Sequence, residues 1–392
     1  MFWHYVDEVY MFSEMQPQYG AGFMSFQRDK PYNTLPLLPP SGAVETESVL
    51  RRVVPAARAL AELKHAGQQL PNQTVLINTI PLLEAQVSSE IENVVTTSDK
   101  LFRLAANEKA DADPATKEAL RYRTALRAGY ESLQHRPLST RTAIDVCSTI
   151  RGVETPLRHG ADTVVANPGT GRIIYTPPEG PEHVQRLLTN WSEYINTEHG
   201  PDPLIKMAIM HYQFEAIHPF TDGNGRTGRI LNILYLVHAG LLSIPVLYLS
   251  RYILANRQDY YRLLREVTEN ENWEAWIVYM LEAVEETSRW TCRRVMAIDR
   301  LFQHTCAYLR ETLPNVYSRE LVEVLFNQPY ARISNLVEAG IAKRQTASTY
   351  MRQLTKAGVL QETRAGKEKL FVHTKFLDLL LRESDDYAPY PD

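Results

Sequence analysis

Most of the chemistry available to this sequence lies in twelve consecutive residues, His218-Pro219-Phe220-Thr221-Asp222-Gly223-Asn224-Gly225-Arg226-Thr227-Gly228-Arg229. They supply an imidazole, a carboxylate, an amide, three glycines and two guanidiniums. Gly223 and Gly225 permit backbone turns that larger residues resist, so successive N–H groups can converge on one anion. A helix beginning near Arg226 would add its positive end and its unpaired N–H groups. Arg226 and Arg229 would be neighbours on that helix, and arginine suits bidentate phosphate contacts. Asp222 at the mouth could hold Mg²⁺, which commonly takes one or two carboxylates plus substrate phosphates. His218 is the nearby proton acceptor with a suitable pKa. Residue types and spacing together predict a polyphosphate cradle with a general base beside it.

Three other readings fit less well. Gly223-x-Gly225-x-x-Gly228 matches the dinucleotide fingerprint, but that signal needs a preceding strand and an acid roughly 20 residues on. Here a helical pattern precedes it, and no Asp or Glu occurs between Asp222 and Asp259. A P-loop lacks its Gly-Lys-Ser/Thr. A plain glycine-rich connector with solvated arginines rarely gathers all these groups.

The elements that must position this segment are mostly helical. The chain has 392 residues, 44% of them apolar and 22% charged, enough for two or three ordinary globular domains. Its net charge of −4 excludes a uniformly basic nucleic-acid coat. Three scattered cysteines make neither a disulfide framework nor a Cys-rich zinc site. No Lys or Arg precedes Arg28, so a basic signal-peptide start is not expected, and Leu231–Ser250 is broken by Gly240 and Pro245. A cytoplasmic protein without a membrane span is the expectation.

The first forty residues, with five prolines and the aromatics Phe2, Trp3 and Tyr5, read as a tail lying on a body. Helical spacing runs over about 47–65, with Pro55 as a kink or true start, and over 80–95, where Pro81 suits a first turn. It continues over 113–147, 182–196, 205–218, 226–239, 257–269 and 273–309. Between these, Val164-Val165 and Ile173-Ile174-Tyr175 around Asn167-Pro168-Gly169 predict a β-hairpin. Residues 319–382 carry 11 basic and 6 acidic side chains in a three-helix, two-strand pattern with Gly366 at the turn. That layout predicts a winged helix, with the boundary at Leu313-Pro314.

The segment His218 to Arg229 resembles the full signature of the Fic domain, His-Pro-Phe-x-Asp-Gly-Asn-Gly-Arg-x-x-Arg, whose members transfer AMP from ATP to protein hydroxyls. The resemblance implies a mainly α protein: a helical Fic fold with a short β-hairpin flap, plus the C-terminal winged helix. It divides the chain into an N-terminal region (1–112), a catalytic core (113–312) and the winged helix (313–392). It makes His218 the base for the target hydroxyl, Asp222 the Mg²⁺ ligand, and the backbone of Gly223, Asn224 and Gly225, with the Asn224 amide, an anion hole. Arg226 would contact the phosphates and Arg229 the γ-phosphate of ATP, with Thr227 and Gly228 in the same nucleotide-binding turn. Asn256 and Tyr260 or Tyr261 become candidates for the adenosine side, and Phe220 is expected in the core.

The same resemblance gives meaning to Ser88 and Glu92-Asn93, which are similar to the family's inhibitory pattern Ser/Thr-x-x-x-Glu-Gly/Asn. Ser88 and Glu92 are four apart and share a helix face, so Glu92 would pair with Arg229 and exclude a productive γ-phosphate. The implied partner is a target protein with a Ser, Thr or Tyr hydroxyl, or the chain itself. A homodimer is possible. Alternatives are AMP removal at the same site and a DNA-binding regulator with a Fic sensor core. For the winged helix, a docking or dimerisation role is favoured over DNA binding, because +5 is modest.

Overall fold

The computed structural model describes residues 26–70, 72–106, 113–160, 163–166, 170–365 and 368–391. The expectations for Phe2, Trp3, Tyr5, the Asn167–Gly169 turn and Gly366 fall outside them. Within the described tail, Leu35 and Leu38 are buried, Leu38 and Asn190 exchange two hydrogen bonds (2.8 and 2.9 Å), and Gln213 donates to Pro36 at 2.8 Å.

α1 (Glu47–Gln69) begins at Thr46, whose hydroxyl accepts from Val49 N–H, and it keeps Pro55 in its interior. A proline there costs about 3 kcal/mol. Val49, Val53, Ala56, Leu60 and Leu63 are all buried along its length, at roughly 1.5–3 kcal/mol for each large side chain. Burial wins, so the helix neither starts nor stops at Pro55.

α2 (Thr74–Ile91) corrects a second proline reading. Pro81 lies in its middle rather than its first turn, because the apolar run Val75, Leu76, Ile80, Leu82 and Leu83 is buried on several sides and continues through it. Asn93 after α2 has φ +62°; its N–H bonds Glu90 O (2.9 Å) and Val94 N–H bonds Ser89 O (3.0 Å). This is a Schellman end, which requires a left-handed residue and therefore favours Gly or Asn.

α3 (Ser98–Ala105) follows directly. The expected stretch 113–147 is two helices, α4 (Pro114–Ser132) and α5 (Thr140–Arg151), interrupted at Pro137 and restarted by Ser139 and Thr142 as a capping box. β1 (Val165–Ala166) and β2 (Ile173–Tyr175) pair antiparallel, Val165 opposite Tyr175. α6 (Pro181–Asn196) leads into α7 (Pro203–Ile217) and α8 (Asn224–His238), two neighbouring helices buried on nearly all sides. Gly240, at φ +70°, ends α8's run, and no helix among the described residues is long and apolar enough to cross a membrane.

α9 (Leu249–Ala255), α10 (Arg257–Asn270) and α11 (Trp273–Thr312) complete the helical body, with the 40-residue α11 along α1 and α7. Beyond it come α12 (Arg319–Phe326), β3 (Tyr330–Ala331), α13 (Ile333–Glu338), α14 (Arg344–Lys356), β4 (Gln361–Ala365), β5 (Glu368–Val372) and α15 (Thr374–Leu381). The sheet order is β3-β5-β4, all antiparallel. Among the described residues, two side-chain hydrogen bonds tie this C-terminal unit to the N-terminal region. Tyr330 donates its hydroxyl to Asp99 on α3, with Arg103 over its ring at 5.6 Å, and Asn72 donates to Asn327 at 3.3 Å, just ahead of α2.

Candidate active site

The chemistry-bearing segment is the connection between α7 and α8. His218 ends α7 in a left-handed conformation (φ +49°), and Gly223 (φ +87°) caps α8. The first backbone bond of α8 runs from Thr227 N to Gly223 O at 3.0 Å. The N–H groups of Asn224, Gly225 and Arg226 therefore have no partner inside the helix and point out of its positive end. α8 starts two residues earlier than its periodicity suggested, which puts Gly225 in the first turn.

Asn224 fixes the loop instead of widening the anion hole. Its Oδ1 accepts from Phe220 N–H (2.9 Å) and its Nδ2 donates to Phe220 O (2.8 Å). Phe220 is fully buried beneath it. Arg158, which no local pattern marked, ties the loop from outside: its N–H donates to Pro219 O (2.9 Å), Nε to His218 O (2.8 Å) and Nη2 to Ile217 O (3.1 Å) and Pro178 O. It thus joins the hairpin's exit to the His218 turn. On the hairpin itself, the Tyr175 hydroxyl donates to Ala216 O at 2.8 Å.

Burial, with the positive Arg158 nearby, pushes the His218 imidazole down to about 4. The ring is neutral at ordinary pH. A neutral imidazole keeps one ring nitrogen without a proton, and that nitrogen can act as the acceptor. Asp222 is 59% exposed at the mouth, 3.0 Å from Arg151 and 3.5 Å from Arg226. Arg226 is buried and ion-paired with Glu118 on α4. Glu118 and Arg151 were not anticipated, since each is far from the motif in sequence.

Arg229 is buried, and α2 supplies its acceptors. Nε donates to the Ser88 hydroxyl (2.8 Å), and Nη2 donates to the Ser88 carbonyl (2.8 Å) and to Glu92 Oε1 (2.9 Å). Burial raises the Glu92 carboxyl, but the Arg229 charge and hydrogen bond outweigh it and hold the group below the ordinary carboxylate range. For Arg229 burial opposes the charge, and Glu92 foremost overrides it and raises the guanidinium. The Glu92 carboxylate lies on the first turn of α8: a β-carbon on Gly225 would sit 2.4 Å from Glu92 Oε1.

Thr227 and Gly228 face packing rather than a ligand. Thr227 is fully buried beside Cys147, and a β-carbon on Gly228 would sit 2.4 Å from Glu215 Oε1. The two tyrosines divide. Tyr260 is in the core with its hydroxyl 2.9 Å from His211 Nε2, which removes it from the adenosine candidates. Tyr261 is 44% exposed, with the Arg257 guanidinium 5.8 Å from its ring and 3.5 Å from Asn93 Oδ1. Asn256 lies between α9 and α10, its Nδ2 donating to Tyr252 O at 3.0 Å. Tyr261, within reach of the Glu92 and Arg229 charges, remains as a rim residue.

Comparison with known proteins bears on the family and the fold. The Fic/DOC family matches residues 146–236, its N-terminal region residues 50–131, and the C-terminal domain of SoFic-like protein adenylyltransferases residues 301–376. A probable protein adenylyltransferase of Aquifex aeolicus is 29% identical over 192 residues, 47% of this chain and 54% of that protein. The protein adenylyltransferase Fic of Drosophila melanogaster is 36% identical over 103 residues, 24% of this chain and 21% of that protein. The chain thus spans about half the length of the first relative and about a fifth of the second. In fold, a Fic family protein from Desulfovibrio desulfuricans G20 covers 85% of this chain and 98% of its own at TM-score 0.54 and 19% identity. A Fic domain containing signaling protein from Bacteroides thetaiotaomicron covers 62% and 98% at TM-score 0.51 and 18% identity. With its signature at the α7–α8 turn, the chain carries regions that match the Fic/DOC family, that family's N-terminal region and the SoFic-like C-terminal domain.

Proposed function

We propose that this protein transfers AMP from Mg·ATP to a Ser, Thr or Tyr hydroxyl of a target protein, and that Glu92 holds it in a low-activity state. The observation that carries the reading is the position of the Glu92 carboxylate. An internal anion rests on the first turn of α8 against Gly225 and is paired with buried Arg229. A place that stabilises a carboxylate through helix N–H groups and a guanidinium also suits a phosphate.

In this reading the triphosphate lies along the Asn224, Gly225 and Arg226 N–H groups, with Arg229 on the γ-phosphate once Glu92 withdraws. Neutral His218 accepts the proton of the incoming hydroxyl as its oxygen bonds to the α-phosphorus. The bond from that phosphorus to the bridging oxygen breaks and pyrophosphate leaves. Donors fixed before the reaction act where charge develops, which is the main lever in phosphate transfer. Asp222 suits Mg²⁺ arriving with the nucleotide: an exposed carboxylate beside a phosphate cradle is the kind of donor Mg²⁺ combines with phosphate oxygens and water. When bound, the ion would neutralise phosphate charge. Arg158 and Phe220 keep the His218 turn in place, and the β1–β2 hairpin presents an edge for the target backbone.

The Glu92→Gly protein, incubated separately with α-labelled and γ-labelled ATP, tests the reaction. Only the α label should reach protein, and His218→Ala in that background should abolish labelling while nucleotide binding persists. Transfer of the γ label alone would mean kinase-type chemistry and would end the proposal.

A further inference from the structure

The C-terminal unit presents a surface unlike the rest of this acidic molecule. Between Glu338 and Glu362 the sequence has no Asp or Glu, but it has Lys343, Arg344, Arg352 and Lys356. All four cations are exposed on α14 or at its cap, and Arg364 is exposed on β4. Among the described residues none of the five is ion-paired. Their neighbours are: Lys369 meets Glu362 at 2.7 Å, Arg319 meets Glu323 at 3.2 Å and Arg382 meets Asp378 at 3.1 Å.

α14 also divides cleanly by face. Ala347, Met351 and Leu354 are buried at helical spacing and seat it on its own unit. Gln345, Thr349, Arg352 and Lys356 follow the same period on another face, with Arg344, Thr346 and Gln353 exposed beside them. None of the large exposed apolar residues lies on this helix. Protein-docking surfaces concentrate apolar and aromatic residues at the centre and lose charge there. This face has the opposite composition, which argues against the docking role expected above.

We infer that α14 is a recognition helix for duplex DNA, entering the major groove with Gln345, Thr349 and Arg352 toward base edges. Lys343, Arg344 and Lys356, with Arg364 from β4, contact phosphates. The major groove is about 12 Å wide and admits one helix, and side chains of these types supply both positioning and readout contacts. Three helices followed by a β-ribbon, with the last helix outward, are the parts such a docking uses. Because the whole chain carries −4, overall charge cannot produce the binding, and the local surface must. The inference stands on the C-terminal unit alone and does not depend on the chemistry at His218.

Fluorescence anisotropy of the full chain with a labelled mixed-sequence duplex, at 50 and 200 mM KCl, tests it. Four phosphate contacts predict an affinity about a hundredfold weaker at the higher salt. The combined variant Arg344→Ala, Arg352→Ala, Lys356→Ala should bind at least tenfold more weakly, with a shallower salt slope and an unchanged Tm. Should its Tm fall, Lys343→Glu with Lys356→Glu serves instead, with the same loss expected. No duplex binding at 50 mM salt, equal binding by a folded variant, or tighter binding of the same sequence as a single strand would each overturn the inference.

Discussion

Arg229 and Ser88 are joined twice, through Nε to the hydroxyl and through Nη2 to the backbone carbonyl, both at 2.8 Å. Glu92, which caps α2 one turn further on, adds a third acceptor. The guanidinium proposed to receive the γ-phosphate is therefore held by one helix of the N-terminal region. Removing the carboxylate alone leaves Arg229 still anchored and oriented by Ser88.

Glu92→Gly should accordingly raise AMP incorporation rather than destroy the site. A hydrogen bond to a charged group is worth about 1.5–3 kcal/mol, so the gain is expected to be roughly ten- to a hundredfold. Ser88→Ala should raise activity less, because it loosens Arg229 as well as the inhibitory helix. A folded Glu92→Gly protein with unchanged or lower incorporation would remove Glu92 from regulation.

Asn93 turns α2 off at φ +62°. Asn93→Gly should be neutral, whereas Asn93→Ala should cost about 1 kcal/mol, since a β-carbon without a helpful polar group resists the left-handed region. Thermal unfolding of the pair tests this, and equal Tm values would mean that the turn relaxes.

Acid should destabilise the protein. Burial holds His211 and His373 at about 3 and His218 at about 4. The unfolded chain takes up these protons first as pH falls below about 6.5, so their stabilisation is complete above that value and lost below it. Glu84 and Glu215, raised by burial, act in the opposite sense. The net loss between pH 6.5 and 5 is expected to be about 1–3 kcal/mol by denaturant titration. A flat profile would mean that the imidazoles are solvated.

Glu215 offers a separable test. Burial, opposed by nearby Arg229, raises its carboxyl to about 8, and its Oε1 has no hydrogen-bond partner. Folding is favoured while this group is protonated, and that advantage disappears as pH rises from about 4.5 to 8. Glu215→Gln cannot ionise, so its stability relative to wild type should climb between pH 5 and 9 by a few kcal/mol. A constant difference across that range would contradict the assignment.

Local signals in the sequence were enough for the α7–turn–α8 unit. His218-Pro219 and the bracketing glycines mark a turn whatever surrounds it, and the helical periods of α6, α7, α10 and α11 are long. Sequence alone places the start of α2 too late, because proline usually opens helices, while the tertiary packing that carries a helix through Pro81 leaves no local trace. Tyr260 and Tyr261 could not be told apart: adjacent helical residues point about 100° apart, and only the neighbours of α10 decide which one enters the core. Arg158, Glu118 and Arg151 act on the site from distant stretches of chain, so nothing beside them in sequence marks their partners.

The two hydrogen bonds that tie the C-terminal unit to the N-terminal region, Asn72 with Asn327 and Tyr330 with Asp99, fall on either side of α2. They act as bookends for the shelf that carries Ser88 and Glu92. Cutting the chain after α11 would therefore strip one contact from each margin of the segment that grips Arg229.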